Sequence, residues 1–387
     1  MKNKYKVALV GCGSIANAHF EGYKKISKIQ LEAVVDINPA AREMYMKDYH
    51  IPNGYENLEI MLNEVNPEIV SICVWHKLHD VMTEKIANHP SVKGIICEKP
   101  MAIGLGNAEK MIQVCEKNNV KLIISHQRRF TPGWIKAKEI IKSGLIGIPT
   151  RGEIRVKEGL LNWATHSIDG VRFVLEEPEA KWVFGALERS TNKFERDTPI
   201  EDCCIGLVQL ENNLQFFIQS DLLDNDCDAG RFTIIGTDGM IYVEETKVEL
   251  FNSSSNGWKN VPLNLDKDDK AIGGNTNALQ TQELLDWIEK DKESRSSANI
   301  AIKTQEIMMA IYESARKNKV IQLPLSEKKY PLDLMIDENK LPLKNKKKYD
   351  IREFLNRDNI DENDYRKLKK QGFNHNEIMQ RLNFEQQ

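Results

Sequence analysis

Between an apolar, β-branched run (Tyr5–Val10, YKVALV) and a helix-forming stretch lies the turn Gly11-Cys12-Gly13-Ser14-Ile15-Ala16. Few features constrain a fold more. Such a run reads as a buried parallel strand. Gly11 permits a tight turn, Gly13 lets the backbone approach a diphosphate, and Ala16 lets helix and strand pack closely. Ser14 opens the helix, whose free N–H groups and positive dipole end favour an anion, with Ile15 alongside. A second apolar run, Gln30–Val35, ends at Asp36. A carboxylate there accepts hydrogen bonds from a ribose diol and repels a 2′-phosphate, so the expected cofactor is NAD rather than NADP. Arg42 is expected to be a solvated residue of the following helix.

The 387 residues suffice for two domains and an appendage, and 41% hydrophobic residues can build real cores. A net charge of -3 gives no general attraction to nucleic acid or anionic lipid. No run of about 18 apolar residues predicts a membrane span, and Met1–Lys4 lead into the first strand without a signal-like stretch. Seven cysteines (12, 73, 97, 115, 203, 204 and 227) have no CxxC spacing. They are expected to be reduced thiols in a cytoplasmic protein, with no metal site. The His76/His79 pair is not expected to hold a metal without a third ligand.

Strand candidates Ile69–Val74, Lys93–Cys97 and Lys121–Ser125 alternate with helical segments. The rhythm predicts a doubly wound parallel Rossmann sheet over residues 1–125. From 126 to 326 several strands follow one another without intervening helices. That predicts an α+β domain for substrate and oligomerisation, with a mainly antiparallel open sheet. Residues 327–387 read as a charged linker, its basic run at Lys344 and Lys346–Lys348 solvated. A small helical pair follows, packing on the body or on a partner.

A second motif, Cys97-Glu98-Lys99-Pro100, follows a strand of the first domain. Together with GCGSIA, HQRRF (126–130), SGLIGIP (143–149), THSID (165–169) and YESAR (312–316), the chain resembles the Gfo/Idh/MocA oxidoreductases over roughly residues 5 to 324. The resemblance implies hydride transfer between a secondary alcohol of a sugar, cyclitol or sugar derivative and nicotinamide. Two alternatives stay open: a glycosidase or lyase that recycles its NAD, and a non-catalytic NAD-responsive binding protein. A homo-oligomer, dimer or tetramer, is also implied.

Lys99 stands at the carboxyl end of a parallel strand, where ligands bind in such sheets. By resemblance it orients and polarises the hydroxyl, and Glu98 lies near the nicotinamide ribose. His166 is the candidate proton acceptor, since an ordinary imidazole titrates near neutrality. Asp169, one helical turn on, would orient that ring or contact substrate. Gln127 and Arg128 are expected to face substrate or cofactor, and His79 to open a helix beside the cofactor. Asn162 departs from the pattern: several sugar-oxidising members carry an aspartate there, and an amide can bind a hydroxyl but cannot take its proton.

Overall fold

The computed structural model describes residues 4–222, 228–266, 268–269, 273–357 and 360–384. Cys227 lies outside the described residues. A six-stranded parallel sheet comes first. Its order is Asn53–Tyr55, Ile29–Val35, Tyr5–Val10, Ile69–Ile72, Gly94–Cys97, Lys121–Ile124. The central strands IVSI and GIIC are buried along their whole length, as a sheet covered on both faces requires. The edge strand Asn53–Tyr55 has only three residues and no apolar alternation, so no sequence pattern announced it. Strand order reverses between Tyr5–Val10 and Ile69–Ile72. The carboxyl ends there open a crevice for a ligand.

The second sheet has nine strands. From one edge the order is Lys259–Asn260, Val248–Asn252, Gly239–Val243, Phe232–Gly236, Pro149–Val156, Gln215–Ser220, Cys203–Leu210, Ala180–Glu188, Ile321–Gln322. All pairs are antiparallel except Pro149–Val156 with Gln215–Ser220. Strand Cys203–Leu210 alternates buried and half-buried residues, so one face of the sheet is covered. Helices Thr165–Val174 and Ala298–Lys317 cover that face, and Ile168, Val171, Met308 and Ile311 fill the core.

The C-terminal region departs from the expected linker. Helix Pro331–Asp337 buries Leu332 and Met335 in the second core. The basic run forms a strand, Asn345–Asp350, that pairs in parallel with Thr191–Glu195. Its lysines stay exposed while the backbone is committed to the ladder, and Lys348 pairs with Asp197. Helices Glu362–Lys370 and His375–Phe384 then enclose Phe354, Tyr365, Ile378, Met379 and Leu382 and pack on Met44 of the first domain. A Lys369–Asp48 ion pair adds to the docking.

Candidate active site

The glycine turn behaves as its residues require. Gly11 has φ +97°, and a Cβ there would come within 2.7 Å of the Cys73 backbone. Gly13 is the opposite case: a Cβ would meet no protein atom within 4 Å, so the space it leaves belongs to the cleft. Helix Ala16–Tyr23 starts with no side-chain cap. The Ser14 side chain therefore does not cap it; Asn17 N and Ala18 N bond the Ser14 and Ile15 carbonyls, which leaves the N–H groups before them for a ligand. Asp36 Oδ2 accepts from Cys12 N at 2.6 Å and Oδ1 from Asn38 N at 2.8 Å. Arg42 donates to the Asp36 carbonyl, so it is a bonded part of this corner rather than a solvated residue.

A cavity of about 1280 Å³ runs from Gly13, Ser14 and Ile15 past Trp75 to Lys99, Arg128 and His166. That exceeds the usual ~300–1,000 Å³ of a small-molecule site and suits a dinucleotide with a second ligand. The uncapped helix start and the open space at Gly13 fit the diphosphate of NAD, while Asp36, its two oxygens held by Cys12 N and Asn38 N, lies outside the residues that line the cavity.

Glu98 and Lys99 end the fifth strand of the parallel sheet, and the Lys99–Pro100 peptide is cis. Glu98 is buried rather than solvated. Its Oε1 lies 2.9 Å from His19 Nε2, and that contact holds its carboxyl below the usual range against the opposing effect of burial. Lys99 Nζ donates to both the backbone O and Oδ1 of Asn162, each at 3.2 Å. Burial lowers the Lys99 ammonium to about 8, with Glu98 opposing. His166 sits at the start of helix Thr165–Val174, after a wide turn at Leu160–Ala164 of the kind that recurs at functional sites. Burial, then Arg128, Lys99 and His126, lower its pKa well below normal. A neutral imidazole results, and its Nδ1 has no partner.

Three expected site residues stand elsewhere. Asp169 does not orient His166. It binds Arg129 through both oxygens, at 2.6 and 2.7 Å, and lies 2.9 Å from His126 Nδ1. Against the opposing effect of burial, the Arg129 guanidinium holds its carboxyl far below the ordinary range. The one-turn spacing was real, but a fully buried guanidinium is the better partner for a buried carboxylate. Gln127 is buried beside Ser125, outside the residues lining the cavity. His79 does open a helix, His79–Ala87, but its ring is internal: Nδ1 lies 2.9 Å from Pro100 O and Nε2 3.1 Å from Val74 O. It ties two cleft loops together without reaching the cavity. Arg128 does line the cavity. Its Nε donates to Glu245 at 2.6 Å, and one terminal nitrogen is buried without a partner.

Other lining residues carry no local sequence signal: Glu158, Trp163, Arg196, Arg231, Glu245 and Arg352. Phe354, Tyr365, Lys369 and His375 of the C-terminal segment also line the cavity. Among the described residues no group of three or more His, Cys, Asp or Glu could hold a metal. No helix among them is long and apolar enough to cross a membrane.

Known proteins share this fold. Residues 5–126 match the oxidoreductase family with an NAD-binding Rossmann fold, and residues 159–323 match that family's C-terminal α/β domain. The D-apiose dehydrogenase of Rhizobium rhizogenes is 22% identical over 350 residues, 82% of this chain and 97% of that protein. The myo-inositol 2-dehydrogenase of Thermotoga maritima is 26% identical over 193 residues, 46% of this chain and 57% of that protein. Levoglucosan dehydrogenase in complex with NADH superposes with a TM-score of 0.72 at 20% identity, covering 83% of this chain and all of that one. The two family matches, in order and on the two sheets described above, make the chain a member of the Gfo/Idh/MocA family of NAD-binding oxidoreductases.

Proposed function

We propose that the protein is an NAD-dependent dehydrogenase that oxidises a ring secondary alcohol of a sugar, cyclitol or sugar derivative. Bound NAD supplies the hydride acceptor. The observation that carries the reading is Lys99, a desolvated ammonium in the same cleft as the diphosphate cradle, beside a neutral His166. Lys99 in its neutral form, accessible because burial lowers its ammonium to about 8, accepts the hydroxyl proton and fixes the carbinol carbon toward the nicotinamide position as the hydride leaves. The ammonium so formed donates to the carbonyl oxygen of the product. A base so placed contributes about 10²–10⁴-fold. Asn162 holds the lysine. Arg128 and Glu98 complete the walls around substrate and ribose. The names of the relatives, which act on apiose and inositol, support this substrate class.

Two further points belong to the same proposal. The open face of the second sheet carries the cross-strand row Phe184, Leu207 and Phe217, with Phe184 exposed. An apolar row there suits pairing with another copy. The six described cysteines are all unpaired, in keeping with a reducing cytoplasm. The test is a panel of sugars, cyclitols and their acids, assayed by NADH absorbance with NAD and NADP side by side. Reduction of NAD by a polyol is the expected result. A folded, NAD-bound protein inert to the whole panel contradicts the proposal.

A further inference from the structure

Arg352 enters the cleft from beyond the region the family match covers, directly after strand Asn345–Asp350. Its guanidinium binds Glu158 Oε2, the same oxygen that accepts from Asn162 Nδ2 at 3.2 Å. Asn162 in turn accepts from Lys99 through Oδ1. A continuous chain of contacts thus links the C-terminal segment to the reactive ammonium.

Each link is anchored. Arg352 N donates to Asp350 Oδ1 at 2.8 Å, and the Asp350 carboxylate also accepts from the backbone of Arg196 and Asp197. Glu158 adopts φ +59° and is followed by Gly159 at φ +85°. Asp221 holds both left-handed residues, accepting from Glu158 N at 3.0 Å and Gly159 N at 2.8 Å. A non-glycine residue persists in this conformation only where its surroundings fix it.

We propose that Glu158, clamped by Arg352, is a positioning residue for Lys99 that acts through the Asn162 amide. The proposal rests on the role given to Lys99 above. The physical reason lies in the two ends of an amide. An ionised carboxylate can only accept, so Glu158 forces the Asn162 NH₂ toward itself and the Asn162 oxygen toward Lys99. A neutral amide at position 158 would leave both orientations open. Glu158 also adds a negative charge to the set around Lys99: Glu98 on its own loop, Glu195 and Arg196 from strand Thr191–Glu195 and its end, Arg128, His76 and His166.

The test needs no substrate. Competitive labelling of the full-length protein with acetic anhydride, read by mass spectrometry across pH, gives the titration midpoint of Lys99. Glu158→Gln removes a negative charge, which disfavours the ammonium. The midpoint is expected to fall by about 0.5–1 unit, while Glu158→Asp and Arg352→Lys, which keep their charges, hold it near the wild-type value. NAD binding and melting temperature serve as folding controls and are expected to stay unchanged. An unmoved Lys99 midpoint in folded Glu158→Gln overturns the proposal and leaves Arg352–Glu158 as a docking clasp. Failure of the dehydrogenase reading itself shows separately, as unchanged turnover in Lys99→Ala.

Discussion

The amino-terminal sheet and the C-terminal segment 345–384 border one cavity, yet they reach it by different physics. In the sheet, each site residue is placed by its neighbours in sequence: Gly13 follows a strand, Asp36 ends the next, Lys99 ends the fifth. In the segment, Arg352 and Tyr365 are placed by long-range packing on Thr191–Glu195 and on Met44. Local placement is rigid because a buried parallel strand has one register. Distant docking rests on a five-residue apolar cluster and a few ion pairs, and exposed pairs contribute little each. The first arrangement brings Gly13 and Lys99 to the cavity; the second adds Arg352 and Tyr365 to its lining.

The largest expected effect breaks the chemistry and spares the fold. Lys99→Ala should lower turnover by roughly 10²-fold or more while calorimetric NAD affinity changes only a few-fold. Equal losses in both would show that the lysine serves binding rather than catalysis.

Next comes the segment. Met379 is fully buried in the small cluster, so Met379→Ala should cost about 2–4 kcal/mol of local stability. Amide exchange is expected to accelerate across 362–384, with the two large sheets unaffected. Faster exchange throughout the chain would mean the segment is not a separate unit. If it also covers the diphosphate side of the cleft, NAD release measured by stopped flow should quicken in the same variant.

Asp36→Ala sharpens the other side. It leaves two backbone donors, Cys12 N and Asn38 N, without their acceptor beside the glycine turn. About 1–3 kcal/mol follows, seen as roughly tenfold or greater weakening of NAD binding with turnover at saturation little changed.

The smallest effect is a pH dependence confined to the segment. His375 bonds the Tyr365 hydroxyl at 2.7 Å, and burial lowers its pKa to about 4, aided by Arg357 and Lys369. The undocked chain has the ordinary value of about 6.5. The undocked state therefore binds the proton more readily. Docking is fully stable above about 6.5 and weakens progressively as pH falls from there to 4. Exchange protection of 362–384 should drop over that window in the wild type and lose this dependence in His375→Gln.

Much of this was legible in the sequence because it was periodic or local. The buried runs YKVALV and KGIIC, the glycine turn and the EKP motif specified the first sheet and its site-bearing ends. Strands that follow one another without intervening helices over 126–326 announced a mainly antiparallel open sheet. What was hidden depended on partners far along the chain. Asp169 lies one turn from His166, but Arg129, forty residues earlier, captures it. His79 and Gln127 carry suitable chemistry and are turned into the interior by burial that no spacing reveals. Lys346–Lys348 has the composition of a linker, and only the free edge of Thr191–Glu195 makes it a strand. Glu158 has no motif: Asp221 and Arg352 create its role.

A crystal structure of the NAD complex tests the central claim most directly, because the site is defined by where the nicotinamide ring comes to rest. The ring is expected at the inner end of the cavity, its reactive carbon facing the space between Lys99 Nζ and His166, with the diphosphate on Gly13 and the start of helix Ala16–Tyr23. A ring lodged away from both side chains, with the cradle filled, would contradict the account.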